Sequence, residues 1–253
     1  MEQEFLLKYS RHINLPQIDI EGQQQISQGN VLIIGLGGLG CAAAQYLVAS
    51  GVGSVSLIDA DTVDISNLHR QVLHYPEDIG KAKVQSASEK LKQQNPDVDI
   101  KTFTQYVDAG FLNKYLTTFD VVLDCSDNFE TRCLSNTYCY QYKIPLVSGA
   151  AIRMEGQLIT FEYNKDEPCY ACLSHYFGAQ NLSCVESGVL SPVVGVIGNL
   201  QAIEALLLLS KQAQKNQKTT NKYLLIYDAA ICEFNKMLLK KNPECEVCQS
   251  NSN

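Results

Sequence analysis

Val31-Leu32-Ile33-Ile34-Gly35-Leu36-Gly37-Gly38-Leu39-Gly40 is the stretch on which the fold turns. Four consecutive apolar residues read as a strand buried on both faces, the pattern of a parallel sheet. Gly35-x-Gly37-x-x-Gly40 follows directly, and the apolar sequence beyond it predicts a helix to about Ser50, ended by Gly51 and Gly53. A glycine loop between a strand and a helix is a phosphate-binding turn. Missing side chains let backbone approach a phosphate, and the helix N-terminus supplies N–H donors and positive potential.

The pattern continues outward from this turn. Val55-Ser56-Leu57-Ile58-Asp59 predicts a second strand that ends on Asp59, 19 residues after Gly40, where a carboxylate can accept hydrogen bonds from a ribose. The loop alone does not choose between NAD and ATP. Upstream, the first thirty residues read as two short helical pieces around Pro16. Downstream, a helix is predicted from about Ile79 to Gln94, with Lys83 one turn inside it and Asn95-Pro96 as the stop. Then come a strand over Val98 to Phe103, a helix over Ala109 to Thr117 and a strand over Val121 to Asp124. A helix over Phe129 to Tyr142 and a strand over Pro145 to Ser148 complete the alternation. After Ala150 it stops. Glu155 to Tyr163 reads as a strand, Glu167 to Val189 has no clear period, and Val193 to Leu207 recurs at helical spacing. Lys211 to Lys222 is a polar tract read as a solvated loop, and Leu224 to Tyr227 with Ile231 to Leu239 reads as a closing hairpin.

Composition narrows the class. The formal net charge is −7, and no stripe of Lys and Arg is present to neutralise a nucleic-acid backbone. Met1-Glu2-Gln3-Glu4 lacks the positive start and apolar run of a signal peptide, which predicts a cytoplasmic protein. The apolar run from Val189 to Leu209 is interrupted by Pro192, Asn199, Gln201 and Glu204 and reads as a buried helix.

In such a compartment ten cysteines are not expected to form a disulfide framework. Four have metal spacing: Cys169/Cys172 and Cys245/Cys248, two Cys-x-x-Cys pairs with 72 residues between them. Each pair offers two thiolates from one turn, and four thiolates make a closed tetrahedral structural zinc site. Such a site ties the end of the chain back to its middle. Cys41, Cys125, Cys133, Cys139 and Cys232 read as small core residues, and Cys184 lies in an irregular stretch.

Phosphate-directed groups favour ATP over a nicotinamide cofactor. Ser66-Asn67-Leu68-His69-Arg70-Gln71 carries an arginine that can pair with phosphate oxygens, and Lys83 follows. Asp127 and Asn128 stand at the carboxyl end of a strand, where open α/β sheets bind ligands, and Asp127 could hold Mg²⁺.

Taken together, Arg11, Gly35 to Gly40, Asp59, Ser66 to Gln71, Lys83, Asp127-Asn128 and both cysteine pairs resemble the HesA/MoeB/ThiF family of ubiquitin-activating-enzyme-like adenylyltransferases. Val147 to Gln157 and Asn242-Pro243-x-Cys245-Glu246-Val247-Cys248 strengthen the likeness, which spans residues 5 to 248. The resemblance implies an α/β fold: a Rossmann-like doubly wound, mostly parallel sheet extended by antiparallel strands, with a structural four-cysteine zinc site. It also implies a single domain over 1–253, with a nucleotide-binding half over 1–150 and a zinc-clasped, carrier-binding half over 151–253.

The implied reaction joins ATP to the C-terminal Gly-Gly carboxylate of a ubiquitin-like sulfur-carrier protein, releasing pyrophosphate. The implied carrier is the small subunit of molybdopterin synthase, with the thiazole-pathway carrier as the alternative. An NAD-dependent oxidoreductase is the alternative of a different class. By the same resemblance Gly35, Gly37, Gly38, Gly40, Asp59, Ser66, Asn67, Leu68, His69, Arg70, Lys83, Asp127 and Asn128 bind nucleotide. Arg70, Lys83 and Asp127 act on phosphate and Mg²⁺, and Arg11 reaches the nucleotide of the other subunit of a homodimer. Relatives place at Cys184 a thiol that can bond to the carrier or its sulfur.

Overall fold

The computed structural model describes residues 2–177, 187–210 and 222–249. Cys184 and most of the polar tract from Lys211 lie outside the described residues.

One eight-stranded sheet organises the chain, with strands β1 (Asn30–Ile34), β2 (Ser54–Ile58), β3 (Asp99–Phe103), β4 (Val121–Asp124), β5 (Leu146–Ile152), β6 (Glu155–Phe161), β7 (Tyr223–Asp228) and β8 (Glu233–Leu238). Their order is β3-β2-β1-β4-β5-β6-β7-β8. The first five are parallel, and β6, β7 and β8 add antiparallel ladders. The direction of winding reverses between β1 and β4, so a crevice opens at the carboxyl ends of these two strands.

The apolar run of β1 is explained by burial on both faces. Val31 and Ile33 enter one core with helices α4 (Gly38–Ala49), α5 (Lys83–Gln94) and α9 (Ser191–Leu209). Leu32 and Ile34 enter a second core with α6 (Ala109–Tyr115), α7 (Phe129–Tyr142) and α8 (Tyr170–Phe177). The long apolar helix α9 packs along α4, with Gly198 against the Leu39 carbonyl and Gly38 against Val194. A methyl group at either glycine would collide with its neighbour.

Several boundaries differ from the sequence expectation. The N-terminal segment holds three helices, α1 (Glu2–Lys8), α2 (Ser10–Ile13) and α3 (Asp19–Ile26). Helix α5 begins at Lys83 rather than Ile79, because Pro76–Asp78 forms a 3₁₀ turn and Gly80 takes φ +86°. Lys83 therefore opens the helix and is not a turn inside it. Strand β3 starts at Asp99, β8 covers Glu233–Leu238, and β5 runs on to Ile152 because β6 pairs with its full length. Part of the segment read as aperiodic is α8. Cys41, Cys125 and Cys139 are core residues as expected, but Cys133 is half-buried. Cys232 is exposed, in the turn between β7 and β8 with φ +56°.

Candidate active site and metal centre

A cleft of about 590 Å³ occupies the crevice at the β1/β4 reversal. Gly35, Gly37 and Gly38 form one wall. Space, as well as conformational freedom, demands glycine here. Gly35 has φ +91°, and a Cβ on it would stand 2.9 Å from the Cys125 carbonyl oxygen. A Cβ on Gly40 would run into the Gly35 carbonyl. The loop thus folds tightly against the end of β4, and the first turn of α4 faces the cleft.

Asp59 stands one residue beyond β2, which ends at Ile58 rather than on Asp59, and its first task is internal. One carboxylate oxygen accepts the Leu36 N–H at 2.7 Å and the other accepts the Asp61 N–H at 2.8 Å. Burial pushes its pKa up, while Lys83 and these two donors pull it back. Lys83 is 7% exposed, and its Nζ lies 2.7 Å from the Asp61 carboxylate. Asp61, itself half-exposed, was missed by sequence reasoning; a second acid two residues beyond the strand end was the available signal.

The Ser66–Gln71 segment starts inside a 3₁₀ turn, Ile65–Asn67, capped by Asp64, and continues as turns. Asp64 accepts the Ser66 N–H at 2.8 Å and its hydroxyl at 2.6 Å, which holds the carboxyl below its ordinary range. Asn67 and Arg70 line the cleft, whereas Ser66, Leu68 and His69 do not. Arg70 Nη1 donates to the Ser66 carbonyl at 2.8 Å, and His69 Nδ1 meets Ser191 Oγ at 2.8 Å. Gln71 lines the cleft beside Gly37, is 2% exposed, and has a side-chain oxygen without a partner among the described residues.

The opposite wall follows β4. Asp124 is fully buried and accepts from Ser126 N at 3.1 Å, Ser126 Oγ at 2.6 Å and Ser148 Oγ at 3.1 Å. Beyond it, Asp127 is exposed on the cleft. Asn128 lines the cleft too, but its oxygen caps α7 by accepting the Thr131 N–H at 2.9 Å. Arg132, one turn into α7, was also missed. It lines the cleft and donates to the Ser126 carbonyl at 2.8 Å. Burial works against its charge, but Asp124 and Tyr170 hold its pKa above the ordinary arginine value. An arginine four residues after a cap was legible as a helix-face residue only. Arg11 sits on α2 and is absent from this cleft's lining.

The four metal-spaced cysteines do converge. Their sulfurs lie within 4.8 Å of one another and all four residues are buried. The Cys169–Cys245 sulfurs are 3.6 Å apart and the Cys172–Cys248 sulfurs 3.4 Å. Tetrahedral zinc with Zn–S bonds of about 2.3 Å sets sulfurs about 3.8 Å apart, so the donor set fits that ion. Backbone N–H groups of Asn242 and Cys248 approach the Cys172 and Cys245 sulfurs at 3.3 and 3.5 Å, as acceptors carrying thiolate charge require. Burial pushes Cys248 up to about 12, while a hydrogen bond from Cys169 draws Cys172 down. Four thiols this close cannot all ionise without a cation among them.

The ThiF family matches residues 9–247. The chain is 48% identical over 243 residues to the molybdopterin-synthase adenylyltransferase of Salmonella typhimurium, covering 96% of each. It is 39% identical to the adenylyltransferase and sulfurtransferase MOCS3 of Drosophila willistoni, over 97% of this chain and 54% of that one. Escherichia coli MccB, in a crystal structure with ATP, superposes with a TM-score of 0.79 at 20% identity, over 95% of this chain and 73% of that one.

Proposed function

The chain belongs to the ThiF family, and from that premise we propose that it adenylylates the C-terminal Gly-Gly carboxylate of a ubiquitin-like sulfur-carrier protein. The carrier is the small subunit of molybdopterin synthase. One observation carries the reading: the glycine loop, Asp59, Arg70, Lys83 and Asp127 share one cleft at the sheet's reversal point.

The chemistry fits these groups. The carrier's carboxylate is already ionised at neutral pH, so no general base is needed. One of its oxygens forms a bond to the α-phosphorus as the bond from that phosphorus to the bridging oxygen breaks. The electron pair leaves with pyrophosphate. The barrier is the approach of one anion to another, so charge neutralisation and alignment are the catalytic terms. Arg70 and Lys83 bind phosphates, and the glycine loop offers N–H donors. Asp59 keeps acceptor capacity for a ribose beyond its two backbone donors. Asp127 would hold Mg²⁺, which would supply screening of negative charge on the phosphates. No thiol takes part in the attack on ATP, so Cys184 is not needed for adenylate formation. Residues 1–150 form the nucleotide-binding half and 151–253 the zinc-clasped half that receives the carrier in a cytoplasmic homodimer.

The test is carrier-dependent ATP–pyrophosphate exchange. Asp127 is exposed, so Asp127→Ala leaves the fold and melting temperature unchanged. Loss of a group acting on developing charge costs about 10²–10³ in rate. Near-wild-type exchange by Asp127→Ala would remove the role given to that carboxylate. NADH binding with no exchange in the wild type would replace the reading with an oxidoreductase.

A further inference from the structure

Beneath the glycine loop lies a buried polar chain that the reaction above does not use. His74 is 3% exposed. Its Nδ1 lies 2.8 Å from Ser86 Oγ, and its Nε2 lies 3.4 Å from the Leu36 carbonyl oxygen. Cys41 Sγ donates to the same carbonyl at 3.3 Å and stands 3.7 Å from Nε2. The Leu36 N–H is held separately, by Asp59. Leu36 is therefore gripped at both of its backbone polar groups.

The consequence lies one atom further on. The Leu36 carbonyl and the Gly37 N–H belong to one trans peptide and point to opposite sides of it. A carbonyl drawn inward to His74 aims the Gly37 N–H outward, on the side of the cleft that Gly37 lines. Gly37 precedes the first turn of α4, where backbone N–H groups have no intrahelical acceptor. We propose that His74 is a positioning residue for the phosphate-binding loop, holding the Leu36–Gly37 peptide so that its N–H faces the phosphates of ATP. The proposal rests on the nucleotide reading of the cleft.

This positioning requires one neutral tautomer, with Nε2–H donating to the Leu36 carbonyl and the single Ser86 hydroxyl proton donated to Nδ1. Ser86 also reaches the Asp78 carboxylate, but Asp78 already has the Tyr75 N–H at 3.0 Å and Lys90 at 3.4 Å. The opposite tautomer would set the Nε2 lone pair against the Leu36 oxygen. Burial, with Lys83 and Lys90 nearby and Asp78 opposing them, keeps the ring's pKa below its ordinary value, so the ring is neutral at pH 7.

The test compares the full-length wild type with His74→Phe, His74→Gln and Ser86→Ala, by calorimetric titration with ATP and with adenosine. Losing one such hydrogen bond weakens ATP binding about three- to tenfold. His74→Phe should show that loss with adenosine affinity unchanged, since adenosine carries no phosphate. His74→Gln, whose amide N–H can replace Nε2–H, should recover most of it. Ser86→Ala removes the donor to Nδ1 and should shift ATP binding in the same direction, which keeps the idea testable if His74→Phe does not fold. Nitrogen-15 NMR of the wild-type imidazole should show the Nε2–H tautomer. Unchanged ATP affinity in a folded His74→Phe, equal losses for ATP and adenosine, a glutamine variant no better than phenylalanine, or an Nδ1–H tautomer would overturn the proposal alone. A wild type that binds no ATP would overturn the nucleotide reading and this inference with it.

Discussion

Asp78 illustrates how single residues around the cleft divide between chemistry and support. It is 2% exposed, and burial alone would raise its pKa. The Tyr75 N–H and Lys90 oppose burial, and the carboxyl is held below its ordinary value. A carboxylate depressed in the folded state stabilises above its unfolded pKa of about 3.9, and that stabilisation is lost as pH falls through the folded value. Calorimetric melts of Asp78→Asn should therefore lie furthest below wild type at neutral pH, and the gap should close below about pH 4. A gap that widens on acidification would show that the carboxylate is not held ionised. At this scale the sequence was most legible where chemistry and chain position coincide. The glycine loop, Asp59 and Lys83, which line one cleft, were singled out because each falls near a boundary between elements, although Lys83 was expected one turn further into its helix. Asp61 and Arg132 were not, because their partners, Lys83 and the Ser126 carbonyl, become neighbours only after the elements pack.

At the scale of elements, the two Cys-x-x-Cys turns join the start of α8 to the tail beyond β8. The side chains of β8 are exposed along its whole length, so the strand is held by its ladder to β7, and Leu239, just beyond, is buried in the second core. A metal bound only by the folded state stabilises by mass action, about 4 kcal/mol when free ion stands a thousandfold above Kd. Protein purified without chelator should carry one zinc per chain by elemental analysis. Cys245→Ser should lose the metal and melt at markedly lower temperature, with greater loss of order after β8 than in the parallel strands. Retained zinc in this variant, or its absence from wild type, would sink the four-thiolate assignment. The pairing itself was legible, since the spacing of each pair is a property of one turn. That α8 begins at the first pair was not, because an eight-residue helix makes little more than two turns and leaves no clean period.

At the scale of the whole molecule, the cleft is built from one chain yet lacks Arg11. That residue is exposed on α2 and outside the lining. If it serves the neighbouring subunit, Arg11→Ala and Asp127→Ala proteins, each inactive alone, should regain exchange activity when mixed and allowed to swap subunits. Mixed dimers then hold one intact composite site, so recovery approaching a quarter of wild type is expected. No recovery, with subunit exchange demonstrated by mass spectrometry, would confine Arg11 to its own chain. By itself, the sequence determined the alternation of strand and helix, the tight glycine turn after the first strand, and which four cysteines stand in close pairs. These depend on periodicity and on groups close together along the chain. Only the tertiary structure decided that Asp61 grips Lys83, that Arg132 faces the cleft and that His74 reaches the back of the glycine loop. The reason is physical: Asp61 meets Lys83 and His74 meets Leu36 across 22 and 38 residues of chain, and which face of α7 carries Arg132 toward the cleft is set only once burial has fixed the sheet order and the helix faces.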